Sequence, residues 1–398
     1  MSEQINYQCK FEKYKEELIQ LRRHFHRHPE LGLQEFETSA FIRDYLVKLG
    51  YRLQSVEPTG IIAEHPSQDS EAFVSRKKVV LRAEMDALPI QEQTGLPYAS
   101  ENKGIMHACS HDGIVATALV LARILVEEGE AFPVKLRFLF EPAEEIGEGA
   151  KRMLAAGALD GDPDAFLMFH YAVDQPLGMA VHEGQASAMI NGMEIRVHGK
   201  SSHWCEADKG IDSIYAASLV AQAFHELNST YKGKGPCLVG IGSIHGGEYA
   251  NIITDLVTMR GNIRAAYEAD YLALDKKLKE ALKEIEEGTG TRIELEYPKP
   301  AVLPFANDRG LTRIAEAAGQ RVFGDRFLLE GEDELFLSGD NAYRYFLQTK
   351  GLFCVFLGGI PGKVYPLHHP KFQIDEGILP YSLEALYEIL TGIGIKNF

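Results

Sequence analysis

The feature that most narrows the choice of fold is an alternation of short buried strands with helices, each strand leading into a chemically active side chain. Val79 to Leu81 begins a buried strand and is followed by Arg82-Ala83-Glu84-Met85-Asp86. Ile114 to Val126 reads as an apolar helix, and Pro133 then leads into a strand over Val134–Phe140 that ends at Glu141-Pro142-Ala143-Glu144-Glu145. A further helix runs to about Ala156, and the strand Ala165–Phe169 ends at His170. Strands alternating with helices imply βαβ units and a mostly parallel sheet. In such sheets ligands bind beyond the carboxyl ends of the strands. Asp86, Glu144, Glu145 and His170 therefore arrive at one edge, and all four are metal-competent.

Upstream, Phe11, Tyr14, Leu18, Leu21 and Phe25 fall at helical spacing, and Pro29 ends that helix. A second helix over Thr38 to Leu49 stops at Gly50. The polar segment Pro66–Lys78 reads as a surface loop between strands. Between Gly184 and Pro298 the texture changes. Alternation through Ala188–Val197, a helix over Ile211–Leu227, strands at Cys237–Ile244 and Leu256–Ile263, a charged helix at Glu268–Glu287 and a strand at Arg292–Tyr297 follow in turn. This β-α-β-β-α-β order is that of a ferredoxin-like sandwich, inserted into the first domain. After Pro300 the βα texture returns, with a helix at Gly310–Ala318, a strand at Leu352–Leu357, then Leu367-His368-His369-Pro370 and a closing helix from Ser382 to Leu390.

At 398 residues the chain exceeds one ordinary core, so two domains are expected. A net charge of −16 argues against nucleic acid or an acidic membrane surface as partner. No signal peptide or apolar run of transmembrane length is visible, and five scattered cysteines suit free thiols in a reducing compartment. A cytoplasmic protein is expected.

The densest chemistry lies in Gly104-Ile105-Met106-His107-Ala108-Cys109-Ser110-His111-Asp112. In an extended or looped segment Cys109 and His111 point to the same side, and a thiolate beside an imidazole is a natural zinc-type ligand pair. A buried free cysteine and a helix-capping Asp112 are the plain alternatives. Amide hydrolysis at neutral pH needs an activated water, a sink for carbonyl charge and a proton carrier, and two divalent ions supply the first two. Cys109, His111, one of Glu144 and Glu145, His170 and a late histidine make a sufficient ligand set. An isolated Glu-Glu pair is more often a solvated helix N-terminus, where the dipole favours acids. Its position after a buried strand reverses that preference.

The segments RRHFHRHPELGLQEFETS, LRAEMDALPIQEQTGLPYAS, GIMHACSHDG, FEPAEEIGEGAKRM, HGKSSH, GGEYANII and LHHPKFQIDE, in that order, together resemble the metal-dependent aminoacylase/carboxypeptidase superfamily. The branch they are most similar to is the N-acyl-amino-acid amidohydrolases, which include hippurate and indole-acetyl–amino-acid hydrolases. The resemblance implies an α/β catalytic domain with a mostly parallel sheet, residues 1–183 and 299–398, and an inserted ferredoxin-like lid and dimerisation domain, residues 184–298. It implies Cys109, His111, Glu145, His170 and His368 as metal ligands, Glu144 as general base, and Asp86 as a carboxylate that orients a ligand. His203 is implied to stabilise the oxyanion, in a partner subunit's site or on closure of its own lid. Asn251 and Arg264 are implied to hold the substrate carbonyl and carboxylate. Plainer roles, a turn-shaping Asn251 and a strand ion pair for Arg264, stand beside these.

The expected cofactor is a pair of divalent ions, zinc first, with manganese, cobalt or nickel as alternatives. The expected partners are a small N-acyl amino acid or dipeptide and a second copy of the chain. A dipeptidase or carboxypeptidase, or a non-catalytic metal-holding relative, are the competing readings. Several positions depart from the family pattern: Glu84 for Asp, Ser110 for Gly, Ile114 for His, Trp204-Cys205-Glu206-Ala207-Asp208 after His203, Thr254 for Pro, and Asn341 for Phe. Glu84, one methylene longer than Asp, would bear on metal spacing, and Trp204 and Asn341 on substrate identity.

Overall fold

The computed structural model describes residues 9–331, 337–396 and 398, which form two compact units. The first contributes α1 (Lys15–Arg27), α2 (Phe36–Lys48), β1 (Arg52–Val56), β2 (Gly60–Glu64), β3 (Lys78–Glu84), α3 (His111–Glu128), β4 (Lys135–Glu141), α4 (Gly149–Ala155), β5 (Ala165–Ala172) and β6 (Gly178–His182). The second supplies β7 (Met189–His198), β8 (Ser202–His203), α5 (Ser213–Thr230), β9 (Cys237–His245), β10 (Ile252–Ile253), β11 (Leu256–Ala265), α6 (Glu268–Thr289) and β12 (Arg292–Glu296). The chain then returns to the first unit with α7 (Arg309–Phe323), β13 (Phe327–Glu330), α8 (Tyr343–Phe346), β14 (Gly351–Leu357) and α9 (Ile378–Ile395).

The first unit is built on an eight-stranded sheet in the order β1-β2-β4-β3-β5-β14-β6-β13. Its central strands β4, β3, β5 and β14 run parallel, whereas β1–β2, β2–β4 and β14–β6 pair antiparallel. From Gly113 to Ala122 helix α3 is buried on every side, and Ile114, Leu119, Val120, Leu121 and Leu125 are all fully buried. A helix hydrophobic all round is one the core must enclose, and each such side chain contributes about 1.5–3 kcal/mol of burial. The mostly parallel α/β architecture read from the sequence is the one present.

Two local expectations change. Strand β5 continues through Tyr171 and Ala172, so His170 lies within the strand, opposite Val355 of β14, and not beyond its end. The segment Pro66–Lys78 connects β2 to β3 and is largely exposed, as expected of a surface loop, but it is more ordered than that description implies. It forms two 3-10 turns, buries Phe73 completely, and hydrogen-bonds both the N–H and the carbonyl of Leu136 through the side chain of Gln68.

The second unit is a four-stranded antiparallel sheet in the order β12-β7-β11-β9, with α5 and α6 packed on it, the ferredoxin-like arrangement. Burial along β7 alternates strictly, because one face meets the helices and the other does not. The unit runs beyond Pro298, since Val302 and Ile190 exchange both backbone hydrogen bonds at 2.9 and 3.0 Å. Residues 337–340 also belong to it, tied by the Ala188 N–H to the Ser338 carbonyl at 2.7 Å. Among the described residues no helix is long and apolar enough to cross a membrane.

Candidate metal centre

The loop before α3 turns sharply at Ser110, which has φ of 63°. This left-handed residue, not an extended backbone, is what sets Cys109 and His111 together, with His111 as the first residue of the helix. The same angle costs a side chain about 1–2 kcal/mol, so glycine would suit this position better than serine. His111 Nδ1 lies 2.8 Å from the Asp86 carbonyl, and His170 Nδ1 lies 2.9 Å from the Tyr171 carbonyl. A carbonyl can only accept, so both imidazoles carry their proton on Nδ1 and turn Nε2 to the side where a metal could bind. His170 Nε2 is 3.5 Å from Cys109 Sγ.

The turn after β4 passes through a second left-handed residue, Ala143, with φ of 55°, and delivers Glu144 and Glu145. Asp86 Oδ2 accepts the Glu145 N–H at 3.0 Å. His368 is itself left-handed, φ 64°, and its N–H bonds the Ala108 carbonyl at 2.8 Å. Its Nε2 stands 3.5 Å from Glu145 Oε2. The neighbouring His369 instead stacks on Tyr365 and accepts the Lys371 N–H.

Three groupings converge. Cys109, His111 and His170 form one, Cys109, Glu145 and His368 a second, and His111, Glu144 and Glu145 a third; within each, the ligand atoms lie within 4.8 Å of one another. Two buried oxygens here lack a hydrogen bond among the described residues: Glu145 Oε1, and Asp86 Oδ1, which has only His111 Nδ1 at 3.5 Å beside it. Buried carboxylate oxygens left unpaired are costly unless a cation compensates them. A thiol, imidazole Nε2 atoms and such oxygens are a donor set that fits divalent metal. Burial, then the charge of Glu145, pushes the Cys109 thiol well above its ordinary value. His107, buried and two residues away, is pushed down to about 3 by burial and stays neutral.

Asp86 thus serves His111 mainly through its backbone carbonyl, while its side chain holds the backbone of Glu145. Glu84 is engaged elsewhere: its Oε1 accepts from the buried Arg82 at 2.7 Å, and Asn341 Oδ1 accepts from the same guanidinium at 3.0 Å. Two departures from the family pattern are therefore partners of one arginine, which also chelates Glu141 at 2.9 and 3.0 Å. Behind the loop, buried Arg22 meets Asp112 at 3.2 Å and Glu376 at 2.9 Å, and His26 Nδ1 meets Asp112 Oδ2 at 2.8 Å. Burial raises the Asp112 carboxyl, but the Arg22 guanidinium and the His26 hydrogen bond outweigh that and hold it well below the usual range.

His203, Asn251 and Arg264 all belong to the second unit. His203 Nδ1 accepts the Cys205 N–H at 3.2 Å, and its Nε2 is 3.5 Å from the Asn251 side-chain amide nitrogen. Arg264 donates to Asn262 Oδ1 and to the Leu337 carbonyl, both at 2.8 Å, and has no ion pair among the described residues. The sequence reading missed Glu35, which is fully buried and touches the Ala143 turn; nothing periodic in the sequence marks it.

Residues 80–392 match Peptidase family M20/M25/M40. An N-acetyl-L-cysteine deacetylase of Bacillus subtilis (strain 168) is 32% identical over 378 residues, 94% of this chain and 87% of that protein. A hippurate hydrolase of Campylobacter jejuni is 29% identical over 370 residues, 91% of this chain and 93% of its own length. Among solved structures, a dinuclear metal-binding M20-family peptidase of Bacillus subtilis superposes with a TM-score of 0.77 at 30% identity, covering 95% of this chain and 98% of that one. With that match spanning most of the chain, the protein belongs to peptidase family M20/M25/M40 and is a metal-dependent amidohydrolase.

Proposed function

We propose that the protein hydrolyses the amide bond of N-acyl amino acids, releasing a free amino acid and a carboxylic acid. The observation that carries this reading is the convergence of Cys109, His111, Glu144, Glu145, His170 and His368 from four separated segments. The similarity to a deacetylase and a hippurate hydrolase supports the substrate class. Cys109, His111, Glu145, His170 and His368 would hold two divalent ions, zinc first and manganese, cobalt or nickel as alternatives. When bound, such ions acidify a water and polarise the scissile carbonyl.

The remaining work falls to the chain's own groups. Glu144, anchored on the strained turn beside Glu145, takes the proton from the attacking water and returns it to the leaving nitrogen. Asp86 fixes the His111 tautomer and the Glu145 backbone. His203 and Asn251 are assigned to the oxyanion and substrate carbonyl, and Arg264 to the substrate carboxylate. Glu144→Gln tests the assignment. It should retain both ions by elemental analysis yet lose several orders of magnitude in turnover on acetyl- and benzoyl-amino acids. Near-wild-type turnover refutes it.

A dipeptidase is the second reading, favoured by the peptidase among the structural neighbours. Dipeptides in the same substrate panel decide between the two. A homodimer is proposed through the second unit, where β9 is a sheet edge carrying exposed Leu238 and Ile244; light scattering reads it directly. Free cysteines throughout support a cytoplasmic location.

A further inference from the structure

The Glu144-Glu145 turn is held at both ends by carboxylates. Downstream, Asp86 accepts the Glu145 N–H. Upstream, Glu35 Oε1 accepts the N–H of left-handed Ala143 at 2.8 Å, and its Oε2 accepts the Thr59 hydroxyl at 2.6 Å. Glu35 is completely buried and stands at the N-cap of α2, where an acidic side chain ordinarily bonds its own helix. It makes no such bond. Glu30 does that task instead, accepting the Glu37 and Thr38 N–H groups at 3.1 and 2.8 Å. The carboxylate of Glu35 is thus released to reach a turn 108 residues away.

The contact is close-packed as well as polar. A side chain at Gly32, on the same loop, would fall 3.0 Å from Ala143 Cα and 3.2 Å from Asp86 Oδ2. The Ala87 N–H straps this loop to the strand end through the Glu30 carbonyl at 2.8 Å. A non-glycine residue persists at positive φ only where its surroundings over-determine it, and Glu35 is the group that meets the Ala143 N–H.

We infer that Glu35 is a positioning residue for the amidohydrolase centre: it fixes the left-handed Ala143 and thereby where Glu144 and Glu145 stand relative to the ions. The inference rests on the metal-centre reading above, and its test is independent of substrate. Glu35→Met keeps the volume but removes both acceptors. Glu35→Gln keeps an oxygen for the Ala143 N–H, and burial already raises the Glu35 carboxyl, so an uncharged amide is a close replacement. The measurement is competition for Zn²⁺ against a chromogenic chelator, with circular dichroism as the fold control.

Glu35→Met should lose about 10–100-fold in affinity for one ion, with kcat falling and KM little changed, whereas Glu35→Gln retains wild-type affinity. Adding Ala143→Gly to Glu35→Met should restore binding, because glycine reaches φ near +55° without the strain that Glu35 offsets. If Glu35→Met does not fold, the double variant decides. Folded with both ions, it supports the inference; unfolded again, it assigns Glu35 to the core and overturns it. Wild-type affinity in Glu35→Met, equal loss in Glu35→Gln, or no rescue by Ala143→Gly each overturns it too. Absence of turnover by the wild-type protein on acylated amino acids defeats the substrate reading alone and leaves the Zn²⁺ result standing.

Discussion

Ser110→Gly should make the metal-free protein more stable, although it touches the centre of the site. Ser110 sits at φ 63°, ψ 15°, a conformation that costs a residue with a Cβ about 1–2 kcal/mol. Its Oγ is buried with no hydrogen-bond partner among the described residues, which adds about 1–3 kcal/mol of desolvation. Against these stand the extra freedom glycine gives the unfolded chain, about 0.5–1 kcal/mol, and the loss of one buried methylene, about 0.8 kcal/mol. The balance favours the variant by about 1–2 kcal/mol. For a unit of this size that is a rise of about 2–5 °C in melting temperature. Calorimetry must be run on chelator-treated protein, since bound metal adds its own linkage term. The further rise on adding Zn²⁺ should match that of the wild type, because glycine adopts the same φ without strain and leaves Cys109 beside His111. A metal-free variant that melts at or below the wild-type temperature refutes the reasoning. It would mean that the hydroxyl is satisfied or the turn unstrained.

Two other perturbations follow from the same region. Arg22→Met leaves Asp112 as a buried charge without its main counterion and should cost about 3–5 kcal/mol at neutral pH. Because the Asp112 carboxyl is held low in the folded state, its contribution is present above the ordinary value near about 4 and lost as pH falls through the folded value. The wild-type advantage should therefore narrow on acidification in urea titrations, and a gap independent of pH defeats the assignment. Cation binding must expel the proton that burial keeps on Cys109, so Zn²⁺ affinity should rise with pH between about 6 and 8, with proton release seen by calorimetry in buffers of different ionisation enthalpy. Cys109→Ser should lose one ion and flatten that dependence; a flat profile in the wild type contradicts it.

The residues of the centre were readable in advance where chain order and chemistry coincide. Asp86 and Glu144-Glu145 follow buried strands, and Cys109 and His111 lie two apart. Their geometry was less readable, because it depends on backbone angles. Ser110, Ala143 and His368 are all left-handed without being glycine, and no composition rule announces that. His170 reads as lying just past its strand because the apolar run stops at Phe169, whereas the pairing of β5 with β14 continues three residues further, to Ala172. Gln68 and Phe73 looked like loop residues, since 3-10 turns carry no hydrophobic period. Glu35 was invisible for a different reason: its partner is remote in sequence and is a backbone N–H, which has no identity to read.

The two histidines locked by the Asp86 and Tyr171 carbonyls have a consequence for how this protein can change. A side-chain acceptor can be lost by one substitution, but a main-chain oxygen accompanies every residue placed at that position. The nitrogen offered to the cation is therefore insulated from drift in its surroundings. Variation can reshape neighbouring specificity while the protonation pattern of these two imidazoles is inherited with the backbone.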